Sequence, residues 1–261
     1  MLTIVISLEI FMLVIVACLY LPETQPTISA DPETEKQRVP VASRSEELAA
    51  NGSVIGVKFT GSVDAESLSE LAAIPTLRRL DLRDTRIGNA QLLFIRQLNL
   101  EWLDLAGTTI SPIGFRNLAT QNKLKYLNLG GTNVLDNDLV HLKSLNNLEE
   151  LDIGGTYVRG NGLRHLTSLP QLRMIDIGSS GVSGDRLQPL ADFSGLRRIE
   201  ICYDQLDDAA LRVIKNIHTL ERIDIWVLDA NRFADDQRAR IRSVRPDVLV
   251  ETSFLGRHRF D

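Results

Sequence analysis

LKYLNLGGTNV at residues 124–134 and LEELDIGGTYV at residues 148–158 repeat one pattern 24 residues apart. Outward from this pair the pattern recurs as LRRLDLRDTRI from Leu77, LEWLDLAGTTI from Leu100, LRMIDIGSSGV from Leu172 and LRRIEICYDQL from Leu196. The period is 23 residues once and 24 thereafter. Each copy opens with L-x-x-L-x-L, the alternation of a short strand with one buried face. Behind the strand, sets such as Val134, Leu139, Leu142 and Leu145 are spaced for a short helix with an inward apolar stripe. Polar or Gly residues at 136–138 and 160–162 precede each helix, where turn and capping chemistry belongs. One such unit cannot bury its own apolar face, so the units must stack. Strand, turn and helix repeated in parallel predict an α/β solenoid.

The pattern resembles the leucine-rich repeat family over residues 54 to about 250, in its 24-residue, ribonuclease-inhibitor-like form with Thr-containing bacterial-type repeats. Where many members carry Asn or Cys after the strand, this chain has Thr85, Thr108, Thr132, Thr156 and Ser180. A hydroxyl can still bond backbone in the turn. The resemblance implies a curved horseshoe, with parallel strands on the concave face and helices on the convex face, used as a binding scaffold. Both ends are degenerate, as terminal repeats covering an open core should be. Residues 51–261 are read as about eight units, closing with an Arg-rich helix near residues 234–244 and a last strand over 245–250.

Residues 2–21, LTIVISLEIFMLVIVACLYL, are almost continuously apolar. At about 1.5 Å per residue such a helix spans roughly 30 Å, the thickness of a bilayer core. Residues 1–21 are therefore expected to form a single-pass anchor. A cleaved signal peptide fits less well, because no Lys or Arg precedes the apolar run. A lipoprotein signal is the third reading, with Ile15-Val16-Ala17-Cys18 as its lipobox and Cys18 as the lipidated residue. Residues 22–50, with Pro22, Pro26, Pro32 and Pro40, read as an extended linker. Glu23, Asp31, Glu33 and Glu35 follow the anchor before any cation does, which places the repeats on the extracytoplasmic side.

The net charge of −5 and the absence of a basic aromatic stripe argue against a nucleic-acid partner. Cys18 and Cys202 are the only cysteines, so no disulfide framework is expected. His141 and His165 share one repeat position but lack the further ligands a metal needs. Cys202 has no base at the neighbouring repeat positions. No phosphate loop or Ser elbow occurs, so neither catalysis nor a cofactor is expected.

The outward strand positions carry the candidate site. One row reads Lys58, Asp81, Asp104, Asn128, Asp152, Asp176, Glu200 and Asp224, an acidic ladder that strands disfavour. Arg79 and Arg83 should offset it at one end and Arg198 and Arg222 at the other, leaving Glu150, Asp152 and Asp176 to Lys125 and Arg173. A second row holds Trp102, Tyr126, Glu150 and Met174; a third holds Ala106, Gly130, Gly154 and Gly178, read as a trough beside the aromatics. Trp102, Tyr126 and Met174 are expected to anchor a protein or peptide, with Asp104, Glu150, Asp152, Asp176, Arg79 and Arg83 setting charge preference. The function expected is that of a membrane-anchored recognition module. The alternatives are an envelope protein that self-associates or binds a surface polymer, and a ubiquitin-ligase-type substrate adaptor. The last would need a helical adaptor-binding domain before the repeats, where this chain has the apolar segment.

Overall fold

A computed structural model describes residues 43–227 and 233–254. Ten strands form one sheet in chain order. They are β1 (Ser43–Leu48), β2 (Val54–Thr60), β3 (Arg79–Asp81), β4 (Trp102–Asp104), β5 (Tyr126–Asn128), β6 (Glu150–Asp152), β7 (Met174–Asp176), β8 (Arg198–Cys202), β9 (Arg222–Val227) and β10 (Leu249–Phe254). From β2 to β10 every pair is parallel, and register follows the repeat: Arg79, Trp102, Tyr126, Glu150, Met174, Arg198 and Arg222 lie side by side. The alternate residues Leu80, Leu103, Leu127, Leu151, Ile175, Ile199 and Ile223 point the other way and are buried. With the apolar residues of the return segments they form one continuous core.

The return segments depart from expectation. Short α-helical turns occur at Leu92–Ile95 and Pro112–Phe115, but the central units return through 3-10 runs at Asp136–Leu142, Asn161–His165 and Gly184–Asp192. The apolar spacing explains this. Leu139, Leu142 and Leu145 are three apart and fully buried, and three residues per turn is the 3-10 period, which keeps all of them on one side. The α-helices of more than one turn lie near the ends: α1 (Ala65–Glu70), whose first turn is capped by Asp64, α2 (Asp208–Asn216), capped by Asp207, and α3 (Phe233–Val244).

Both ends carry elements that the repeat did not announce. β1 lies where the sequence reads as linker, pairs antiparallel with β2, and exposes all its residues. Its Arg44, Glu46 and Glu47 give the sheet a charged edge strand, which resists edge-to-edge association. At the other end the last strand begins at Leu249 rather than 245, because the Arg245 amide still bonds the Ile241 carbonyl and prolongs the helical turn. Among the described residues no helix is long and apolar enough to cross a membrane. The apolar segment 2–21, Cys18 within it and the linker up to residue 42 lie outside the described residues.

Candidate functional site

The outward acidic row is first of all a turn-forming device. An oxygen of Asp81, Asp104, Asn128, Asp152 and Asp176 accepts the backbone N–H two residues on, at 3.1, 2.9, 2.8, 2.8 and 2.8 Å respectively. This Asx turn ends each strand. The chain then passes through a left-handed residue, at Asp84, Gly107, Gly131, Gly155 and Ser179 in turn. The next residue, Thr85, Thr108, Thr132, Thr156 or Ser180, donates its hydroxyl to the carbonyl three residues back, at 2.5–2.6 Å. Strand, Asx turn, left-handed residue and hydroxyl recur with every coil. The fold is a leucine-rich repeat solenoid.

Ion pairs stand at both ends of this face. At one end Arg83 bonds Asp81 at 2.7 Å and reaches Asp104 at 3.5 Å, while Lys58 lies 3.6 Å from Asp81. At the other end Arg198 bridges Glu200 at 3.0 Å and Asp224 at 2.5 Å, and Arg222 holds Asp224 at 2.8 Å. Burial pushes the Asp104 carboxyl up to about 6, against the pull of the Ala106 amide and of Arg83. Asp81 is also desolvated, yet its hydrogen bonds from Arg83 win and hold it below the usual carboxylate range.

Two outward aromatic residues stack on each other. Trp102 and Tyr126 lie 4.9 Å apart and within 5° of parallel, which matches the spacing of neighbouring strands. The Arg79 guanidinium sits 5.0 Å from the Trp102 ring centroid on the preceding rung. Cation, indole and phenol thus occupy β3, β4 and β5 in order. The stack adjoins a cavity of about 380 Å³ lined by Glu47, Gly56, Lys58, Arg79, Arg83 and Trp102, among others.

Several expectations need correction. Met174, in register between Glu150 and Arg198, is 4% exposed and cannot be a protruding anchor. Asp104 is 0% exposed and spends its oxygens on Ala106, Asn128 and Arg83 rather than on a partner. Arg79 faces Glu47 and Trp102 instead of Asp81, and Lys125 pairs with Glu101, 2.8 Å away, instead of balancing the central acids. The glycine trough answers to the backbone: a Cβ on Gly154 would sit 3.0 Å from the Gly178 carbonyl oxygen. Near Gly178 the indole of Trp226 already fills the space, held by Glu200 at 3.2 Å. Trp102, Tyr126, Glu150, Arg79 and Arg83 remain together on the open face, with Asp152 and Asp176 half-buried behind them.

Cys202 is buried, its thiol pushed up by desolvation while it accepts from the Ser179 amide at 3.1 Å; it is a turn acceptor, not an activated nucleophile. Glu47 and the cavity wall it supplies were hidden from sequence reading, since β1 carries no repeat signal.

No family model and no curated protein matches the chain. Among solved structures it is similar to the Arabidopsis receptor kinase HAESA ectodomain in complex with an extended IDA peptide hormone, at 15% identity and a TM-score of 0.47. That alignment covers 80% of this chain and 44% of the other. It is also similar to the internalin inlF of Listeria monocytogenes, at 17% identity and a TM-score of 0.41, covering 72% of this chain and 65% of that one. The chain therefore spans less than two thirds of either protein's length.

Proposed function

We propose that the protein is a recognition module that binds a protein or peptide on the open face of its sheet and performs no catalysis itself. The observation that carries this reading is the Arg79–Trp102–Tyr126 stack. The core does not need it, because the inward residues of the same strands are already fully buried. Stacked aromatics and Arg on an open face are the residue types that dominate interface energetics. They are also held rigid by one another, which lowers the entropy lost on binding. Attachment to a membrane through residues 2–21, with the repeats on the extracytoplasmic side, belongs to the same proposal and rests on the apolar run and the acids after it.

The test is affinity capture from native membranes with the full chain, wild type against a W102A/Y126A variant of unchanged circular dichroism. Loss of a captured protein in the variant supports the reading. Equal capture by both sinks it and moves binding to another surface. Protection from alkaline extraction, lost when residues 2–21 are removed, tests the anchor separately.

A further inference from the structure

Taking the open face as the binding face, we infer that the partner inserts an arginine or lysine side chain beside Tyr126 and pairs it with Glu150. The stack is asymmetric. Its β3 end is closed by a cation from the chain itself, Arg79 over Trp102. Its β5 end meets Glu150, which lies in register with Tyr126 on β6. Glu150 is exposed and forms no ion pair or side-chain hydrogen bond among the described residues.

Charge complementarity sets the kind of partner. The outward residues of β5, β6 and β7 are Tyr126, Asn128, Glu150, Asp152, Met174 and Asp176, with no cation among them. The cations of the face belong to its outer rungs, where Lys58 is committed to Asp81, Arg83 to Asp81 and Asp104 while also within electrostatic reach of Tyr126, Arg79 to Glu47, and Arg198 and Arg222 to Glu200 and Asp224. An acidic side chain would be repelled from the central rungs, and an apolar one would desolvate Glu150 without compensation. A guanidinium or ammonium meets both needs: it neutralises Glu150 and repeats beside Tyr126 the packing that Arg79 already makes on Trp102. Met174, nearly buried on the next rung, gives the methylene stem an apolar floor.

The test uses arrayed peptides of random sequence with one position fixed as Arg, Lys, Gln or Glu, probed with the full chain in a mild non-ionic detergent. Wild type should retain the Arg and Lys sets about tenfold better than the Gln set, a difference of about 1.4 kcal/mol. E150Q should erase that preference and E150K should turn it toward Glu; both sit at an exposed position where the fold is not at stake. Binding with no preference for basic residues, or a preference that survives E150Q, overturns this inference and leaves the open face as the binding face. Equal retention of peptides by W102A/Y126A overturns the choice of face instead. Retention of no peptide set overturns both.

Discussion

Asp104 shows how much one carboxylate can reveal about the ladder it belongs to. It is fully buried, and its folded value is near 6 against an ordinary 3.8. A raised acid pKa means that the folded chain keeps a proton which the unfolded chain releases. Between about pH 4 and 6 the folded state therefore binds more protons, and stability falls as pH rises through that window. The loss is at most about 3 kcal/mol for a shift of this size. Asn128 already fills the equivalent position and makes the same turn bond to Gly130, so D104N is expected to fold and to flatten the slope over that window. Denaturant titrations at closely spaced pH values read this directly; an unchanged slope would assign it to another group. The hydroxyl row makes a simpler prediction. T132V removes a buried 2.5 Å bond to the Leu129 carbonyl, which keeps the Thr132 amide as a donor at 3.2 Å, so the unfolding free energy should drop by only about 1 kcal/mol. At this scale the sequence showed which residues share a rung, because period alone decides that. It could not show that Asp oxygens face their own backbone, since one outward position serves equally for a turn and for a ligand.

Elements were readable wherever the repeat was regular and obscure where it stopped. Strands β3 to β9 follow from L-x-x-L-x-L, and the 3-10 returns follow from three-residue apolar spacing once the helix is not assumed. β1 and the closing turn carry no repeat, and their roles come from single side chains. Arg245 is the clearest case. Nine-tenths buried, it donates to the carbonyls of Ile217 and of Leu220 at 2.9 Å and pairs with Asp247 at 2.8 Å. It thus gives the Leu220 carbonyl a donor, adds a second to the Ile217 carbonyl beside the Leu220 amide, and ties β10 to the stack. R245M keeps much of the stem but takes the guanidinium donor from the Leu220 carbonyl, while the Ile217 carbonyl keeps the Leu220 amide at 3.2 Å. It is expected to cost about 1–3 kcal/mol and to release the last coil first, seen as early protease cleavage between α2 and β10. Loss of stability without early cleavage there would show that Arg245 supports the whole stack instead of its end.

Along the sheet, each coil touches its neighbours and little else, so the stability of each coil should be set by the coils it stacks on. The central coils have a buried apolar neighbour on each side, with Leu127, Leu151 and Ile175 all at 0% exposure. The ends are sealed on one side only, by an exposed charged strand at β1 and by the polar α3 and β10 at the other. Local opening should therefore be cheapest at the ends and dearest in the middle. Deuterium exchange of the full chain is expected to show slowest uptake at the amides of β5 to β7, with protection falling stepwise toward β2 and β10. T132V should speed exchange in the coils beside it more than at either end. Uniform protection from β2 to β10, lowered equally everywhere by T132V, would mean that the coils unfold as one unit and that nearest-neighbour stacking does not govern the chain. The gradient also bears on recognition: the Tyr126 and Glu150 rungs sit where the sheet should be most rigid, so a partner docking there would meet a surface already ordered, and the ends could open without disturbing it.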